Sequence, residues 1–234
     1  MPICNLRQCQ VVEVIDEASG IRTLKCRPTD GKPFANKPGQ FVMLYTLDAV
    51  EKPTDGRAYS MSSSPSEPFA VTYKLAGSFT HKLQGVKEGD VLGFTGPFGF
   101  FVLNEGAKHA VMLAGGIGIT PFVAYARHVQ EKKLPVKLTL LYSNKTVSDI
   151  SFKKQLDELT ASKALEVVYT VTRPEAGTWN GLTKRIDAGL IKEKVADWQE
   201  AEYYLCGSPD FVKHMEETLL AMGVLKQKIK EEKF

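Results

Sequence analysis

The sequence contains few cysteines, and their spacing is not that of a metal site. Cys4, Cys9, Cys26 and Cys206 are the four cysteines among 234 residues. None belongs to a Cys-x-x-Cys pair, so the sequence indicates neither a zinc site nor an iron–sulfur cluster. A disulfide framework is equally disfavoured, and we expect reduced thiols and no bound metal.

The sequence also lacks a strong excess of one charge and any long apolar run. The net charge is +3, and no dense Lys/Arg cluster has aromatic residues interleaved, which argues against nucleic acid as a partner. No apolar run reaches the roughly 20 residues of a membrane span. The amino terminus, from Met1 to Arg7, has no apolar signal core. We therefore expect a cytoplasmic protein without a membrane partner.

The pattern of strands and helices changes partway along the chain. In the first hundred residues, Gly, Pro and Asp separate short strand-like segments, which favours a small antiparallel barrel. These segments are residues 10–15, 21–26, 40–45, 57–61, 69–74 and 91–95. Beyond residue 105 strands alternate with helical segments, which predicts a parallel sheet. The sequence thus predicts a six-stranded antiparallel β-barrel at residues 1–104 and a doubly wound parallel α/β domain at residues 105–234.

The most distinctive segment runs from Arg57 to Pro65, where an arginine and an aromatic residue precede a dense run of hydroxyls. The arginine suits a phosphate, the Tyr59 ring suits a flat conjugated ring, and the Ser60 hydroxyl suits a ring nitrogen. This combination indicates a flavin-binding strand. The alternative is a surface strand with a salt-bridged arginine.

Two glycine-containing segments follow in the first half. Gly77-Ser78-Phe79-Thr80 opens a short helical pattern, and free N–H groups at a helix start bind phosphate. Its alternative is a plain turn in which Ser78 or Thr80 caps the helix. Residues 93–101 are rich in glycine and phenylalanine but have no Lys-Ser/Thr after the glycines, so we interpret them as a turn with aromatic packing.

Two further motifs lie at strand ends in the second half. Gly116-Ile117-Gly118 follows an apolar strand and leads into a helix through Thr120 and Pro121, which predicts a pyrophosphate site. Cys206-Gly207-Ser208-Pro209 follows a later strand, at the sheet edge where ligands bind in open α/β sheets. The alternative for Cys206 is a buried small hydrophobic residue.

Taken in this order, the motifs resemble those of the ferredoxin-NADP reductase superfamily over nearly the whole chain. The resembling segments are Lys37-Pro38-Gly39-Gln40-Phe41-Val42, Arg57-Ala58-Tyr59-Ser60, Gly77-Ser78-Phe79-Thr80, residues 115–121 and Cys206-Gly207-Ser208-Pro209. The resemblance implies a flavin, normally FAD, and a nicotinamide dinucleotide as cofactors.

The resemblance also implies a role for individual residues. Arg57 would pair with flavin phosphate, Tyr59 would pack on the isoalloxazine ring, and Ser60 would bond the nitrogen that accepts hydride. Residues 78–80 would hold the pyrophosphate, while Cys206 would lie beside the reactive nicotinamide carbon. Ser60 and Cys206 are the candidate catalytic residues. The other candidate cofactor-binding residues are Ala58, Thr72, Lys74, Gly77, Gly116, Gly118, Thr120 and Gly207.

Two positions bear on the choice of nucleotide and on the carboxyl terminus. Lys145, with Ser143 and Arg173, would bind a 2′-phosphate, and no acidic residue ends the preceding strand, so we expect NADPH, with NADH as the alternative. We hypothesise that the carboxyl-terminal Phe234 lies on the flavin face and moves aside for nicotinamide. Its alternative is a frayed charged tail.

The function that the resemblance implies is oxidation of NAD(P)H by a flavin. Electrons would pass to ferredoxin, flavodoxin or another redox protein in trans, and we expect a monomer. One alternative is the reductase component of a multicomponent oxygenase. Another is a non-catalytic, flavin-bound electron-transfer or regulatory subunit, against which Cys206 and Gly116-x-Gly118 argue.

Overall fold

The computed structural model describes residues 5–234, so Cys4 and the start of the amino-terminal segment considered above lie outside the described residues. The chain forms two compact units, of which the first ends at Val102 and the second begins at Leu103. Between residues 5 and 234, no helix combines the length and the apolar character needed to cross a membrane.

The first unit is an antiparallel sheet that closes on itself. The described strands are β1 (Arg7–Ala18), β2 (Ile21–Pro28), β3 (Phe41–Leu47), β4 (Pro53–Ser60), β5 (Phe69–Lys74) and β6 (Val91–Phe98), and helix α1 (Ser78–Gln84) lies between β5 and β6. Their order is β4-β3-β6-β1-β2-β5. The end strands meet where Met61, directly after β4, bridges Val71 of β5. The predicted six-stranded antiparallel barrel is confirmed.

Alternation along the strands fills the interior of this barrel. Leu24, Leu44, Val71 and Phe94 come from β2, β3, β5 and β6, and all four are fully buried in one apolar cluster. Each such side chain contributes about 1.5–3 kcal/mol when it leaves water. Because successive residues of a strand point to opposite faces, Thr72 lies on the face of β5 that does not carry Val71.

The second unit is a parallel sheet with helices between its strands. Its described strands are β7 (His109–Gly115), β8 (Lys137–Asn144), β9 (Glu166–Val171), β10 (Glu202–Gly207) and β11 (Ile229–Lys233). Its described α-helices are α2 (Thr120–Lys132), α3 (Lys153–Ala161), α4 (Ala188–Lys194) and α5 (Pro209–Ala221). The strand order β11-β10-β7-β8-β9 confirms the predicted doubly wound α/β fold.

This strand order creates a switch point between β7 and β10. From β7 the chain builds β8 and β9 on one side, and it then returns to the other side of β7 with β10 and β11. The connections after β7 and β10 therefore leave the sheet in opposite directions, which opens a crevice at the carboxyl ends of these two strands. The Gly116-Gly118 turn and the Gly207-Ser208 turn lie at those ends.

Two elements of the second unit escape prediction from the sequence. Helix α4 is short, and the Asp187 carboxylate accepts a hydrogen bond of 2.7 Å from the Leu190 N–H at its start. Strand β11 pairs with β10 in parallel register, so the frayed-tail interpretation is wrong for residues 229–233. Its Lys and Glu side chains disfavour further strand pairing at this edge of the sheet, and they leave no apolar alternation that would indicate a strand in the sequence.

Candidate functional site

Strand β4 and helix α1 bring Arg57 and Phe79 together. The Arg57 guanidinium carbon lies 5.7 Å from the centre of the Phe79 ring. The same guanidinium donates hydrogen bonds to Asp55 Oδ1 at 2.9 Å and to the Gly56 carbonyl at 2.7 Å. Its side chain is 56% exposed, so a fixed cation is presented to solvent beside the start of α1.

Asp55 keeps its negative charge next to this arginine. Desolvation alone would raise the pKa of Asp55, but the hydrogen bond from the Gly56 N–H and the charges of Arg57 and Lys82 lower it below its ordinary value. The carboxylate therefore orients Arg57. An incoming phosphate has to share or replace this partner.

Tyr59 forms an aromatic wall with its neighbours. Its ring stacks on Phe79 at a centroid distance of 6.3 Å and an interplanar angle of 23°. It also contacts Tyr73 at 6.2 Å. Burial, together with the nearby Tyr73, raises the pKa of Tyr59 to about 12, so the phenol stays neutral. A neutral half-buried ring is suited to packing against a flat conjugated ligand.

The remaining candidate residues of the first unit differ in solvent exposure and in hydrogen bonding. Ser60 ends β4 and is 3% exposed, whereas Ala58 and Lys74 are exposed. Thr72 is buried, and its hydroxyl is hydrogen-bonded to Thr23 at 2.7 Å and to Ser62 at 2.9 Å. The structure thus groups Arg57 and Tyr59 with Phe79, while the Thr72 side chain belongs to a separate network of hydroxyls.

Gly77 is the N-cap residue that precedes helix α1, and its φ of 108° is a conformation that favours glycine. Among the described residues, no side chain caps the first N–H groups of this helix. The Thr80 hydroxyl instead accepts from the Ala76 N–H at 2.8 Å and donates to the Gly77 carbonyl at 3.1 Å. Ser78 is exposed, so this turn presents N–H donors of the kind that bind phosphate.

In the second unit, Gly118 lets the β7 turn touch the end of β10. A Cβ at Gly118 would lie 2.2 Å from the Cys206 carbonyl oxygen and 2.6 Å from the Gly207 nitrogen. Gly116 differs, because its φ is +53° and, within the described residues, a Cβ there would meet nothing within 4 Å. The turn therefore packs on Gly118 and leaves the backbone at Gly116 open. Thr120 is buried at the start of α2.

Cys206 is fully buried at the end of β10. Burial, followed by the negative charge of Glu232, raises the pKa of its thiol well above the ordinary value. Gly207 beside it has a φ of +157°, and a Cβ there would lie 2.9 Å from the Phe211 ring and 3.1 Å from the Gly115 carbonyl oxygen. The neutral thiol therefore lies inside the wall of the crevice.

Strand β11 adds two residues to this end of the sheet. Glu232 is the register partner of Cys206, and it could not be found from the sequence because β11 itself was not predicted. Phe234 follows β11, and its N–H donates to the Gly207 carbonyl at 3.1 Å while 47% of the residue stays exposed. The structure thus brings Phe234 to the Gly207 turn.

The residues that we expect to distinguish NADPH from NADH lie at and just beyond the carboxyl ends of β8 and β9. The Arg173 backbone N–H donates to the Lys145 carbonyl at 2.7 Å, so the backbones at these two positions are neighbours, and Ser143 is the second-last residue of β8. Asn144 is 4% exposed, and neither polar atom of its side chain has a hydrogen-bond partner in the described part of the chain. Sequence reasoning missed Asn144, because a lone asparagine after a strand reads as a turn residue.

Comparison with known proteins shows that the chain is similar to oxidoreductases. Residues 112–217 match the family model of the oxidoreductase NAD-binding domain. The glycine betaine monooxygenase reductase subunit of Chromohalobacter salexigens is 30% identical over 95% of this chain and 62% of its own length.

Solved structures share the whole fold. The flavohem-like FAD/NAD-binding domain of nitric oxide dioxygenase from Vibrio cholerae O1 biovar El Tor has a TM-score of 0.86 at 24% identity, covering 97% of this chain and 98% of that one. A ferredoxin reductase in carbazole 1,9a-dioxygenase has a TM-score of 0.83 at 28% identity, covering 98% and 69%.

The chain therefore shares with these structures a fold made of an antiparallel barrel unit followed by a parallel α/β unit. The motifs of the chain resemble those of the ferredoxin-NADP reductase superfamily, and the family model of the oxidoreductase NAD-binding domain matches a segment within the second unit. The chain spans 56% to 63% of the length of the curated relatives it matches.

Proposed function

We propose that this protein oxidises NAD(P)H with a bound FAD and passes the electrons to a separate redox carrier. The first unit would hold FAD and the second unit would hold the nicotinamide dinucleotide. The observation that carries the proposal is the turn at Gly116 and Gly118, which closes on Cys206 and leaves its open backbone at the switch point of the sheet.

The residues present fit both cofactors. For FAD, the uncapped start of α1 and the Arg57 cation suit a pyrophosphate, and the Tyr59 ring suits a flat ring system. For the dinucleotide, the Asn144 amide is buried at the end of β8 close to the Tyr142 hydroxyl, and it has unused hydrogen-bonding capacity that suits a polar ligand group. FAD, when bound, supplies the chemistry that accepts a hydride and releases electrons singly.

Within this proposal, Ser60, Cys206 and Phe234 each have one role. Ser60 orients the reacting edge of the flavin through its hydroxyl. Cys206 is buried and neutral, so it shapes the nicotinamide pocket by packing and does not exchange protons. Phe234, held to Gly207 through its backbone, covers a cofactor face and moves aside.

The expected nucleotide is NADPH. The backbone hydrogen bond between Arg173 and Lys145 supports a basic cluster near Ser143, at the end of a strand that carries no carboxylate, and a 2′-phosphate is the group that such a cluster would recognise. We expect Lys145→Gln to raise the KM for NADPH about tenfold, since a charge-assisted hydrogen bond contributes about 1.5–3 kcal/mol, while the KM for NADH stays unchanged. Lys163→Gln, on an exposed turn of the same unit, is the matched control. Equal increases in the KM for NADPH and in the KM for NADH would contradict the assignment of Lys145 to the 2′-phosphate.

Two kinds of electron acceptor follow from the relatives. Ferredoxin or flavodoxin, reduced by a monomeric enzyme, is the first. An oxygenase component is the second, and it is favoured by the similarity to a monooxygenase reductase subunit and to a ferredoxin reductase in a dioxygenase. A pull-down followed by reduction assays with each captured carrier separates the two.

The central test is spectroscopic. The purified protein is expected to carry a yellow flavin that NADPH bleaches under anaerobic conditions. A flavin that neither NADPH nor NADH bleaches would leave only a non-catalytic flavin-binding role. A protein that binds no flavin at all would contradict the proposal as a whole.

A further inference from the structure

Four side chains form a connected chain at the amino end of the parallel sheet, opposite the glycine turns. His109 opens β7, Thr139 lies in β8, Glu166 opens β9, and Asp197 precedes β10. His109 is 3% exposed and Thr139 is fully buried, whereas about half of the Glu166 side chain is exposed. None of these residues belongs to the cofactor sites described above.

Interatomic distances and the charge of Asp197 indicate which atoms of these hydrogen-bonded side chains carry the protons. His109 Nδ1 lies 2.7 Å from Asp197 Oδ1, and His109 Nε2 lies 2.9 Å from Thr139 Oγ1. Desolvation would raise the pKa of Asp197, but the hydrogen bond from His109 lowers it below its ordinary value, so the carboxylate is ionised. The Nδ1–H therefore donates to Asp197, and in the neutral imidazole Nε2 accepts the Thr139 hydroxyl proton.

A second hydrogen-bond acceptor for the Thr139 hydroxyl lies on the other side of this residue. Glu166 Oε2 lies 3.4 Å from Thr139 Oγ1, which is long for a hydroxyl–carboxylate hydrogen bond. This length is expected while the hydroxyl proton faces the imidazole. A rotation about the Thr139 Cβ–Oγ1 bond turns the same proton toward Glu166.

We propose that His109, Thr139 and Glu166 form a proton-operated switch in the second unit. One proton from solvent adds to His109 Nε2, which then donates to Thr139 Oγ1, and the Thr139 hydroxyl rotates to donate to Glu166. One proton enters and none leaves; His109 and Thr139 keep hydrogen-bond partners in both states, while Glu166 gains the Thr139 hydroxyl only in the protonated state. The imidazolium then lies between two carboxylates.

Charged groups lie on both sides of the imidazole and Thr139. Despite desolvation, the pKa of Asp197 is lowered by the hydrogen bond from His109, and the Lys137 ammonium lies 3.9 Å from Glu166 Oε2. Tyr203 of the neighbouring β10 stays neutral, because burial and the Asp197 charge raise its pKa, and its hydroxyl bonds the Trp198 carbonyl. A buried neutral histidine normally drives acid unfolding, because it gains its proton only when exposed. Here the folded unit accepts the proton without losing a contact.

The test follows two nuclei across the histidine titration range, about pH 5–8. His109 is one of four histidines, and the loss of its imidazole signal in His109→Gln assigns it. In the wild type, the Glu166 carboxyl carbon should show an inflection at the pH where His109 titrates. Thr139→Ser should keep that inflection and the isosteric Thr139→Val should lose it. An inflection that survives in Thr139→Val, or is missing from the wild type, overturns the switch.

Acid unfolding provides a second test that does not depend on a buried substitution. Glu166→Ala removes the acceptor from a half-exposed position, and Glu158→Ala removes the same charge from the exposed face of α3. Followed by tryptophan fluorescence, Glu166→Ala should unfold at a higher pH than Glu158→Ala. Equal midpoints would overturn the proposal. Neither test requires a flavin, so the result is independent of the proposed function.

Discussion

The close approach of Gly118 to the end of β10 makes a quantitative prediction for Gly118→Ala. The added methyl group would lie 2.2 Å from the Cys206 oxygen, 2.4 Å from its carbonyl carbon and 2.6 Å from the Gly207 nitrogen. All three atoms are backbone atoms of a central strand, so the clash cannot be relieved by rotating a side chain. The β7 turn or β10 itself has to move.

The size of the effect follows from the cost of overpacking. Insertions of this kind cost about 1–3 kcal/mol where neighbours can shift, and a backbone neighbour places Gly118→Ala near the upper end, at about 3 kcal/mol. With a urea m-value of about 2 kcal/mol/M, the unfolding midpoint of the second unit should fall by about 1.5 M. Both tryptophans, Trp179 and Trp198, lie in this unit, so their fluorescence reports on it alone.

Gly116→Ala is the matched control, two residues away on the same turn. Within the described residues its methyl group meets nothing within 4 Å, and only the φ of +53° opposes it. A left-handed conformation costs an ordinary residue about 1–2 kcal/mol, which corresponds to a midpoint shift of about 0.5–1 M. If Gly118→Ala unfolds at the same urea concentration as Gly116→Ala or above it, the inferred contact between the turn and β10 is refuted.

Three further predictions concern single side chains. Arg57→Ala should weaken FAD binding about 10- to 100-fold, because a charge-assisted hydrogen bond is lost. The measurement is the flavin-to-protein absorbance ratio, which should fall. An unchanged ratio would contradict the role of Arg57 in binding phosphate. Ser60→Ala should retain FAD yet slow its anaerobic reduction by NADPH about tenfold, the equivalent of one hydrogen bond; full speed in stopped flow would remove Ser60 from the site. For Cys206, whose thiol pKa is raised in the folded state, stability is lost as the pH rises above the ordinary value of 9.0, because only the unfolded thiol then releases its proton. Cys206→Ala should therefore show a shallower fall of unfolding free energy above pH 9 than the wild type, by up to about 1.4 kcal/mol per pH unit, and identical slopes would contradict the burial argument.

The sequence predicted those features that depend on local pattern. The apolar run before Gly115 marks β7, because a strand covered on both faces has no polar alternation. Ser208 and Pro209 mark the start of α5, where the Ser208 hydroxyl accepts the Phe211 N–H at 3.3 Å and proline suits the first turn. Both signals lie within a few residues of the element they specify.

Features that depend on distant contacts escaped prediction. Gly116 and Gly118 look equivalent in the sequence, yet one is required by a left-handed backbone and the other by a neighbouring strand about 90 residues later. Strand β11 has no apolar alternation, since its Lys and Glu residues reflect an edge position that only the sheet order defines. Glu232 became visible as a neighbour of Cys206 once the parallel register of β10 and β11 was known.

The placement of Cys206 changes what its motif means chemically. The sequence suggested a thiol at the edge of the crevice, where it would meet the ligand directly. In the structure the thiol is fully buried, and both desolvation and the Glu232 charge hold its proton in place. A group that cannot ionise near neutral pH is a poor acid or base, so its contribution must be steric. The backbone supports this reading, because the Cys206 carbonyl is the atom against which Gly118 closes. This strand end would therefore contribute to the proposed site through its shape, and Glu232 is the carboxylate that neighbours the thiol.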